Sequence, residues 1–403
     1  MKRWKKIALA LLLLLLLSQA PFVYRRYRLG RLSAAIAGLN AQRAAPPEDG
    51  YAAYKGVFHV HSFLGGHSAG TFEEIVRAAR ANDLHFVVMT EHPSAHVDTA
   101  EATLKGVHDS VLFINGSEIA TKSGERLFIV PGVAADAAAS TAPELVAKSR
   151  ESGRLVFLAY PEQVRDLAAP GAYDGIEVYN LYTNSKRINY ARLFFDCLWS
   201  CGAYPELLFT TFYERPDENL KRWDETNAAS ERRAVALAGN DAHSNVGLGL
   251  RQLTGAPVFE IKLDPYERSF RVVRNHVLLD KSQPLDTETL LDALRRGHSF
   301  IAFDLLCDAS GFRFGAESAS ERRVMGDEIA LAPGGVRLSV NVPVKGRVVF
   351  FRDGQVVHEE GDTTRKELTV DRKGVYRVEV YLDALSGFIG ERPWVISNPI
   401  YVR

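Results

Sequence analysis

The sequence has 403 residues with 49 basic and 49 acidic side chains, so its formal net charge is zero. This length is sufficient for two globular domains with a substantial core. A balanced charge gives no support to a nucleic-acid-binding protein, which usually carries a basic excess, and we expect no nucleic-acid partner. An anionic substrate stays open, because bound metal ions can supply positive charge locally.

The chain opens with the features of an export signal or a membrane anchor. Basic residues precede an apolar run over residues 7–23, which is about long enough to cross a bilayer, and arginines follow it. The segment ending at Ala20 resembles a cleavage site, but Pro21 disfavours cleavage there. We expect residues 1–28 to be an uncleaved anchor, with the protein outside the cytoplasm, in the periplasm or at the cell surface. A cleaved signal peptide is the alternative.

A stalk or linker over residues 29–50 is predicted from its Ala- and Arg-rich composition and its Pro-Pro-Glu-Asp-Gly end. The main body at 51–310 then alternates short apolar runs with amphipathic runs. One amphipathic run opens with Thr71 and Glu74, the spacing of a capping box. This alternation predicts an α/β fold with a parallel sheet or barrel. Its predicted strands are 56–61, 86–89, 112–114, 127–130, 155–158, 176–179 and 234–238.

The last part of the chain has a different pattern. Asp286 opens a predicted helix that Gly297 ends, and beyond Gly311 the sequence predicts no helix. Asp353-Gly354 separates two runs in which apolar and polar residues alternate, a pattern that predicts a β-hairpin. Roughly six short strands at regular spacing predict a small all-β sandwich over residues 311–403.

The three cysteines, Cys197, Cys201 and Cys307, are an odd number, which argues against a disulfide framework. Cys197 and Cys201 are four residues apart in an apolar segment. We interpret them as buried thiols. A metal or redox pair is the alternative, but no second cysteine pair or nearby histidine supports it.

Histidines and acids fall at the carboxyl ends of the predicted strands, the face on which β/α barrels build active sites. A single His-x-His or Asp-x-His pair is weak evidence for a metal site, since histidines are often simply hydrogen-bonded in a core. Their joint occurrence in order is much stronger, and mixed imidazole and carboxylate ligands suit zinc, manganese or iron. These strand-end residues are His59, His61, His92, Glu118, Asp241 and His243.

These motifs resemble the PHP (polymerase and histidinol phosphatase) superfamily of metal-dependent phosphoesterases. The resemblance spans about residues 55 to 310 and is carried by His59-Val-His61-Ser, Thr-Glu-His92, Gly-Ser-Glu118-Ile and Gly-Asn-Asp241-Ala-His. The closing segments 325–328 and 394–401 resemble the carbaryl-hydrolase-like branch. The resemblance implies a distorted seven-stranded (β/α)7 TIM-like barrel and up to three divalent metal ions.

The resemblance also implies a ligand set. The first ion would be held by His59, His61, Glu118 and Asp241, with Glu118 bridging to a second ion. The third ion would be held by His67, His92 and His243.

Two departures concern the second ion. Glu125 and Tyr160 stand where the family usually has histidines, so the site is expected to hold two or three ions. Glu125 could coordinate through its carboxylate, and Tyr160 could hydrogen-bond a substrate oxygen. Glu177 and Asn180 follow a family-like strand and are candidates for orienting ligands or lining the pocket.

Weaker candidates are His96 as a spare ligand and Lys122, Arg126 and Arg187 as phosphate-binding residues; exposed basic residues are usually only solvated.

The leading hypothesis from the sequence is a metal-dependent phosphoesterase that uses a metal-activated water on a small phosphorylated ester. Asp241 and His243 are the expected catalytic residues, with His243 or a water protonating the leaving oxygen. One alternative is hydrolysis of a carbamate or carboxylic ester at the same metals. Another is a non-catalytic binding protein with a degenerate site, which the residues at 125 and 160 motivate.

Overall fold

A computed structural model describes residues 3–164, 172–186, 188–229, 233–245, 247–251 and 257–403. The α-helices of these residues are α1 Arg3–Ala41, α2 Phe72–Ala81, α3 Thr99–Ala102, α4 Ala142–Glu151, α5 Leu181–Ser185, α6 Tyr190–Ser200, α7 Asp217–Ala229, α8 Tyr266–Val272, α9 Thr287–Arg296 and α10 Asp383–Ile389. The strands are β1 Tyr51–Val60, β2 Phe86–Met89, β3 Gly106–His108, β4 Val111–Ile114, β5 Ser117–Ala120, β6 Arg126–Val130, β7 Leu155–Ala159, β8 Gly175–Asn180, β9 Val235–Ala242, β10 Gly247–Arg251, β11 Pro257–Lys262, β12 Arg274–Asp280, β13 Ser299–Ala302, β14 Arg313–Glu317, β15 Arg322–Val324, β16 Glu328–Ile329, β17 Val336–Arg352, β18 Gln355–Val370, β19 Gly374–Tyr381, β20 Pro393–Ser397 and β21 Ile400–Val402.

Strand β1 lies in the wall of a closed barrel. It pairs in parallel with β2 on one side and with β9 on the other. From β9 the ring continues in parallel through β8 and β7, and then antiparallel through β6 and β5. A backbone bridge between Glu91 and Ser117 joins the end of β2 to β5. The predicted mixed α/β class with a large sheet is confirmed, and parallel neighbours bring their carboxyl ends to one rim.

The C-terminal strands are hydrogen-bonded to the barrel through β12, which pairs antiparallel with β1. From β12 the sheet runs through β13, β20 and β19 to the long hairpin of β17 and β18. The predicted turn at Asp353-Gly354 closes that hairpin, with φ of +50° and +79° as a type I′ turn requires. Residues 311–403 also contain α10, which the sequence analysis did not predict. Ser386 and Gly387 interrupt the apolar pattern of this short helix.

Helix boundaries follow the predicted capping residues. Thr71 and Glu74 exchange both capping-box hydrogen bonds at the start of α2. Asp286 accepts from the backbone N–H of Thr289 at the start of α9, and Gly297 ends that helix in the left-handed conformation with φ +75°. Local side-chain bonds therefore set where these helices begin and end.

Residues 29–41 differ from the predicted stalk, because they continue α1 without a break and pack onto the body. Leu32 and Leu39 are buried in the main hydrophobic core. Asn40 accepts a hydrogen bond from the backbone N–H of Asp308 at 3.2 Å. The two leucines are seven residues apart and therefore share one helix face, which the composition of the segment did not reveal. At its other end, α1 is long and apolar enough to cross a membrane.

Candidate metal centre

The rim of the barrel holds three site residues in left-handed backbone conformations. His59 is the second-last residue of β1 with φ +68°, Tyr160 follows β7 with φ +48°, and Asp241 lies near the end of β9 with φ +48°. Such a conformation costs of order 1–3 kcal/mol per non-glycine residue and persists only where the surroundings enforce it. The strain turns all three side chains toward one buried point.

One carboxylate oxygen of Glu118 on β5 lies close to three imidazole rings. Its Oε2 lies 3.0 Å from His59 Nε2, 3.2 Å from His61 Nε2 and 3.6 Å from His92 Nε2. Glu118, His59 and His61 are fully buried. One oxygen cannot make good hydrogen bonds to three converging rings, so this geometry is typical of a shared metal ligand sphere.

Asp241 leaves one carboxylate oxygen unsatisfied. Its Oδ1 is buried without a hydrogen-bond partner among the described residues, although His59 Nε2 lies at 3.3 Å and His243 Nδ1 at 3.4 Å. Both ring nitrogens of His61 are also buried without a well-aligned hydrogen bond. Burying an unpaired charged oxygen costs several kcal/mol, on the order of the penalty for a lost charged hydrogen bond. The orphaned atoms therefore fit a cation placed between them.

The tautomers of the surrounding histidines are set by their Nδ1 partners. Nδ1 of His67, His92 and His243 faces the backbone carbonyls of Gly65, Glu118 and Asp241 at 3.1, 3.3 and 2.8 Å. A carbonyl can only accept, so each Nδ1 donates and each Nε2 keeps a lone pair. His67 Nε2 and His243 Nε2 then face each other at 2.6 Å. Two lone pairs at this distance repel unless a cation lies beside them.

His59 has the corresponding support from a carboxylate. Its Nδ1 lies 2.6 Å from Glu177 Oε1 on β8, and Asn180 donates to Glu177 Oε2 at 3.2 Å. Gly239 on β9 makes room for this contact, because a Cβ there would come within 1.7 Å of Glu177 Oε1. The predicted orienting role of Glu177 and Asn180 therefore matches a carboxylate–histidine–metal arrangement.

Burial keeps most of these imidazoles neutral, the form that binds metals. It lowers the pKa of His61 to about 3 and also lowers the pKa values of His92 and His243. Burial acts the same way on His59, but the charges of three neighbouring carboxylates raise its pKa well above the usual range.

Within the part of the chain that the structure describes, three overlapping groups of side chains each have ligand atoms within 4.8 Å of one another. His61 belongs to all three, and the groups contain all seven ligands that the sequence predicted. Among the described residues neither His96 nor Glu125 belongs to such a group. Arg187 lies outside the described residues. The groups are His61–His67–His243, His59–His61–Asp241 and His61–His92–Glu118.

No protein-family model matches the chain, and no curated protein matches its sequence. Among solved structures, one similar chain is a two-domain protein from Bacteroides vulgatus containing a predicted PHP-like metal-dependent phosphoesterase. It has 15% identity and a TM-score of 0.41, and the match covers 89% of this chain and 98% of that one. PsfC from Pseudomonas syringae has 14% identity and a TM-score of 0.38, with 62% and 91% covered.

The ordered motifs of the chain resemble those of PHP metal-dependent phosphoesterases, and the fold brings their His, Asp and Glu side chains together. Because both TM-scores are low, the resemblance depends on the ordered motifs and on the His, Asp and Glu groups that the fold brings together. Candidate sites for divalent metals are present at the barrel rim, as that resemblance implies.

The PHP-like site departs from the family pattern on its second-metal side. Tyr160 donates its hydroxyl proton to Asp241 Oδ2 at 2.8 Å, and Arg126 donates to Glu118 Oε1 at 2.8 Å. Glu125 instead accepts from Thr121 Oγ1 at 2.8 Å, in the turn between β5 and β6. The structure therefore brings Tyr160 to the centre and leaves Glu125 outside it.

The pairing of Arg126 with Glu118 was missed by sequence reasoning, which considered Arg126 only for phosphate binding. A usable signal existed in the hairpin of β5 and β6, where Ala120 pairs with Arg126 two residues beyond the pair of Glu118 and Phe128. Neighbours two residues apart on paired strands share one face of the sheet. A long arginine side chain on that face can reach the glutamate.

Proposed function

We propose that this protein is a metal-dependent hydrolase that cleaves a phosphoester. The observation that carries the proposal is the buried Asp241 Oδ1, which has no hydrogen-bond partner beside converging imidazoles. Unsatisfied carboxylate and imidazole atoms at one rim of a β/α barrel are the ligand set of a hydrolytic metal site.

The proposed site holds two divalent ions of zinc, manganese or iron rather than three. One would be held by His59, His61, Glu118 and Asp241. The other would be held by His67, His92 and His243.

Arg126 and Tyr160 supply hydrogen bonds to the outer oxygens of Glu118 and Asp241, where the family's second ion would otherwise add charge. The guanidinium provides one fixed positive charge there, so a third ion is unnecessary for charge balance.

When bound, the ions lower the pKa of water and polarise the phosphoryl oxygens. Arg126 is 43% exposed and has N–H groups beyond the one on Glu118, so it can hold an anionic substrate oxygen. Hydrolysis joins the water oxygen to phosphorus and breaks the bond to the leaving alcohol oxygen, which takes up a proton. His243 is unsuited to give that proton, because its Nδ1 donates to a carbonyl and its Nε2 faces His67. We therefore assign His243 and Asp241 to metal binding. The leaving oxygen takes its proton from solvent water.

We further propose the seven-stranded PHP-type barrel for residues 51–310 and a mainly β unit, with the single short helix α10 among its described residues, for 311–403. We also propose an uncleaved anchor in an extracytoplasmic protein. The support for the anchor is that α1 runs unbroken through Ala20 and Pro21 and that Arg25 donates to Asp196 Oδ1 at 2.7 Å. Residues directly after the cleavage-like segment thus belong to the folded body.

The test is the metal content of the full chain, purified in detergent without chelators and measured by elemental mass spectrometry. We expect about two equivalents per chain, and fewer in His59→Ala and Asp241→Ala. The matched control is His108→Ala, an exposed histidine on β3. No retained metal after reconstitution would contradict the proposal and would favour a binding protein.

Rates on an aryl phosphate, an aryl carbamate and an aryl carboxylate then separate the substrate classes. A preparation loaded with metal that prefers the carbamate or the carboxylate would contradict the phosphoesterase assignment and keep the metal site.

A further inference from the structure

The outer face of α6 carries an exposed apolar stripe. Tyr190, Phe194 and Leu198 are 72%, 58% and 67% exposed, and their spacing of four residues places them on one side of the helix. A contiguous row of large apolar side chains in water is unfavourable and marks a surface that contacts another apolar phase or partner.

Helix α6 packs against α1 at the level where the apolar run of α1 ends. Phe195 stacks on Phe22 with ring centroids 4.8 Å apart, and Trp199 Nε1 donates to Gln19 Oε1 at 3.1 Å. The apolar run over residues 7–23 is about 25 Å long at 1.5 Å per residue, close to the thickness of a bilayer's hydrocarbon core. If that run crosses the bilayer, α6 lies at the membrane surface.

Aromatic residues beside the contact between α1 and α6 also support a position of this contact at the membrane surface. Tyr24 and Tyr27 on α1 are exposed, as is Trp199 on α6. Tyrosine and tryptophan are enriched where a membrane protein meets the headgroup layer. A second group of basic residues on α1 begins at Arg25, directly after the apolar run and at the level where anionic headgroups would lie.

The inner face of α6 lines an apolar cavity that reaches the metal centre. Leu193, Cys197 and Cys201, again four residues apart, form part of its wall, which also includes Tyr190 and, on the side of the metal centre, Asp241. The two cysteines are half-buried rather than buried as predicted, because this helix lies at the surface. The cavity volume is about 180 Å³, below the roughly 300 Å³ at the lower end of pockets for drug-sized ligands. It therefore suits one alkyl chain better than a bulky polycyclic group.

We propose that the stripe of α6 lies in the bilayer surface and that the substrate is an amphiphilic phosphate ester taken from the membrane. Its alkyl chain occupies the cavity behind α6 and its phosphate reaches Asp241 and Arg126. Water adds a hydroxyl to phosphorus and a proton to the alkoxide oxygen, releasing phosphate and the lipid alcohol. The substrate class rests on the proposed hydrolase function, whereas the membrane contact does not.

The membrane contact is tested by fluorescence on the full chain in lipid nanodiscs. Leu198→Cys, with Cys197→Ser and Cys201→Ser, carries a bimane label, and the lipid carries a doxyl quencher. The control label is at Val107→Cys on β3 in the same background, since Val107 is 68% exposed. We expect strong quenching at position 198 and little at position 107. Equal quenching at both positions would overturn the membrane contact.

The substrate class is tested with octyl phosphate and ethyl phosphate, by phosphate release in nanodiscs. We expect kcat/KM at least about tenfold higher for octyl phosphate, which is about 1.4 kcal/mol. Phe194→Glu with Leu198→Glu, neither of which lines the cavity, should lower only the octyl rate. Val107→Glu with Val356→Glu, at similarly exposed positions, should change neither rate.

The outcomes of the two tests separate the two proposals. Equal rates on the two esters would overturn the amphiphilic substrate and leave the hydrolase intact. Hydrolysis of neither ester by the metal-loaded protein would contradict the proposed function, and quenching at position 198 would still decide the membrane contact.

Discussion

His67 Nε2 and His243 Nε2 lie 2.6 Å apart, with both Nδ1 atoms facing backbone carbonyls. His67 comes from the loop after β1 and His243 from the segment after β9, so the barrel brings together residues 176 positions apart. Two neutral imidazoles of these tautomers have no hydrogen to share. The contact therefore favours a cation beside the two nitrogens, at the exposed edge of the candidate centre.

Replacing His67 should remove one metal ion and leave the other. His67→Ala is expected to lose about one of two equivalents, because only the ion proposed for His67, His92 and His243 loses a ligand. Elemental analysis after gel filtration measures this, with His108→Ala as the control. Loss of both ions, or of neither, would contradict the assignment of ligands to two separate ions.

Gly239 should be intolerant of a side chain. A Cβ would come within 1.7 Å of Glu177 Oε1, so Gly239→Ala must displace the carboxylate that orients His59. We expect metal affinity to fall about 10–100-fold, the usual cost of losing such a partner. Overpacking should also lower the melting temperature by several degrees.

Chelator competition and thermal melting measure both effects of Gly239→Ala. Gly202→Ala is the matched control, since no atom lies within 4 Å of its new Cβ. Unchanged metal affinity in Gly239→Ala would mean that Glu177 does not position His59.

Arg126 should act on substrate binding more than on metal binding. Arg126→Ala is expected to raise KM for an aryl phosphate about tenfold, as one lost charge-assisted hydrogen bond predicts, and to keep both ions. Arg126→Lys should recover part of the loss, since lysine supplies the charge without the planar fork. Steady-state kinetics with parallel metal analysis measures this. A third equivalent of metal in Arg126→Ala would instead show that the guanidinium excludes an ion.

The buried Glu379 should make stability sensitive to acid. Burial would raise its pKa, but hydrogen bonds and charge from Arg215 and Arg377 lower it to about 2. A lowered pKa means that the stabilisation is present above about pH 4.5 and is lost as the pH falls toward 2. The full difference is about 3 kcal/mol.

Urea denaturation between pH 7 and pH 2 measures this dependence. Glu379→Gln should be less stable at pH 7, because the buried guanidinium of Arg377 and the partly buried one of Arg215 lose a charged partner. The variant should also lose less stability on acidification. Glu225→Gln, on the exposed side of α7, is the control. Parallel pH curves for Glu379→Gln and the wild-type protein would contradict this role of the carboxylate.

Much of the fold was predictable because its signals are local. The capping residues of α2 and α9 and the turn at Asp353-Gly354 each involve residues within four positions of one another. Helix α10 was missed because seven residues give too short a pattern. The run at 29–41 was taken for a stalk because its two core leucines are only recognisable once their partners are known.

The sequence by itself determined which residue types are candidate metal ligands and in which order they occur, because strand-end motifs such as His59-Val-His61 are recognised within a few residues. Only the tertiary structure decided that Arg126 meets Glu118, that Glu125 stays outside and that α6 lies beside α1. These contacts join residues on different elements. Their formation depends on strand pairing and packing over the whole chain, which no local pattern encodes.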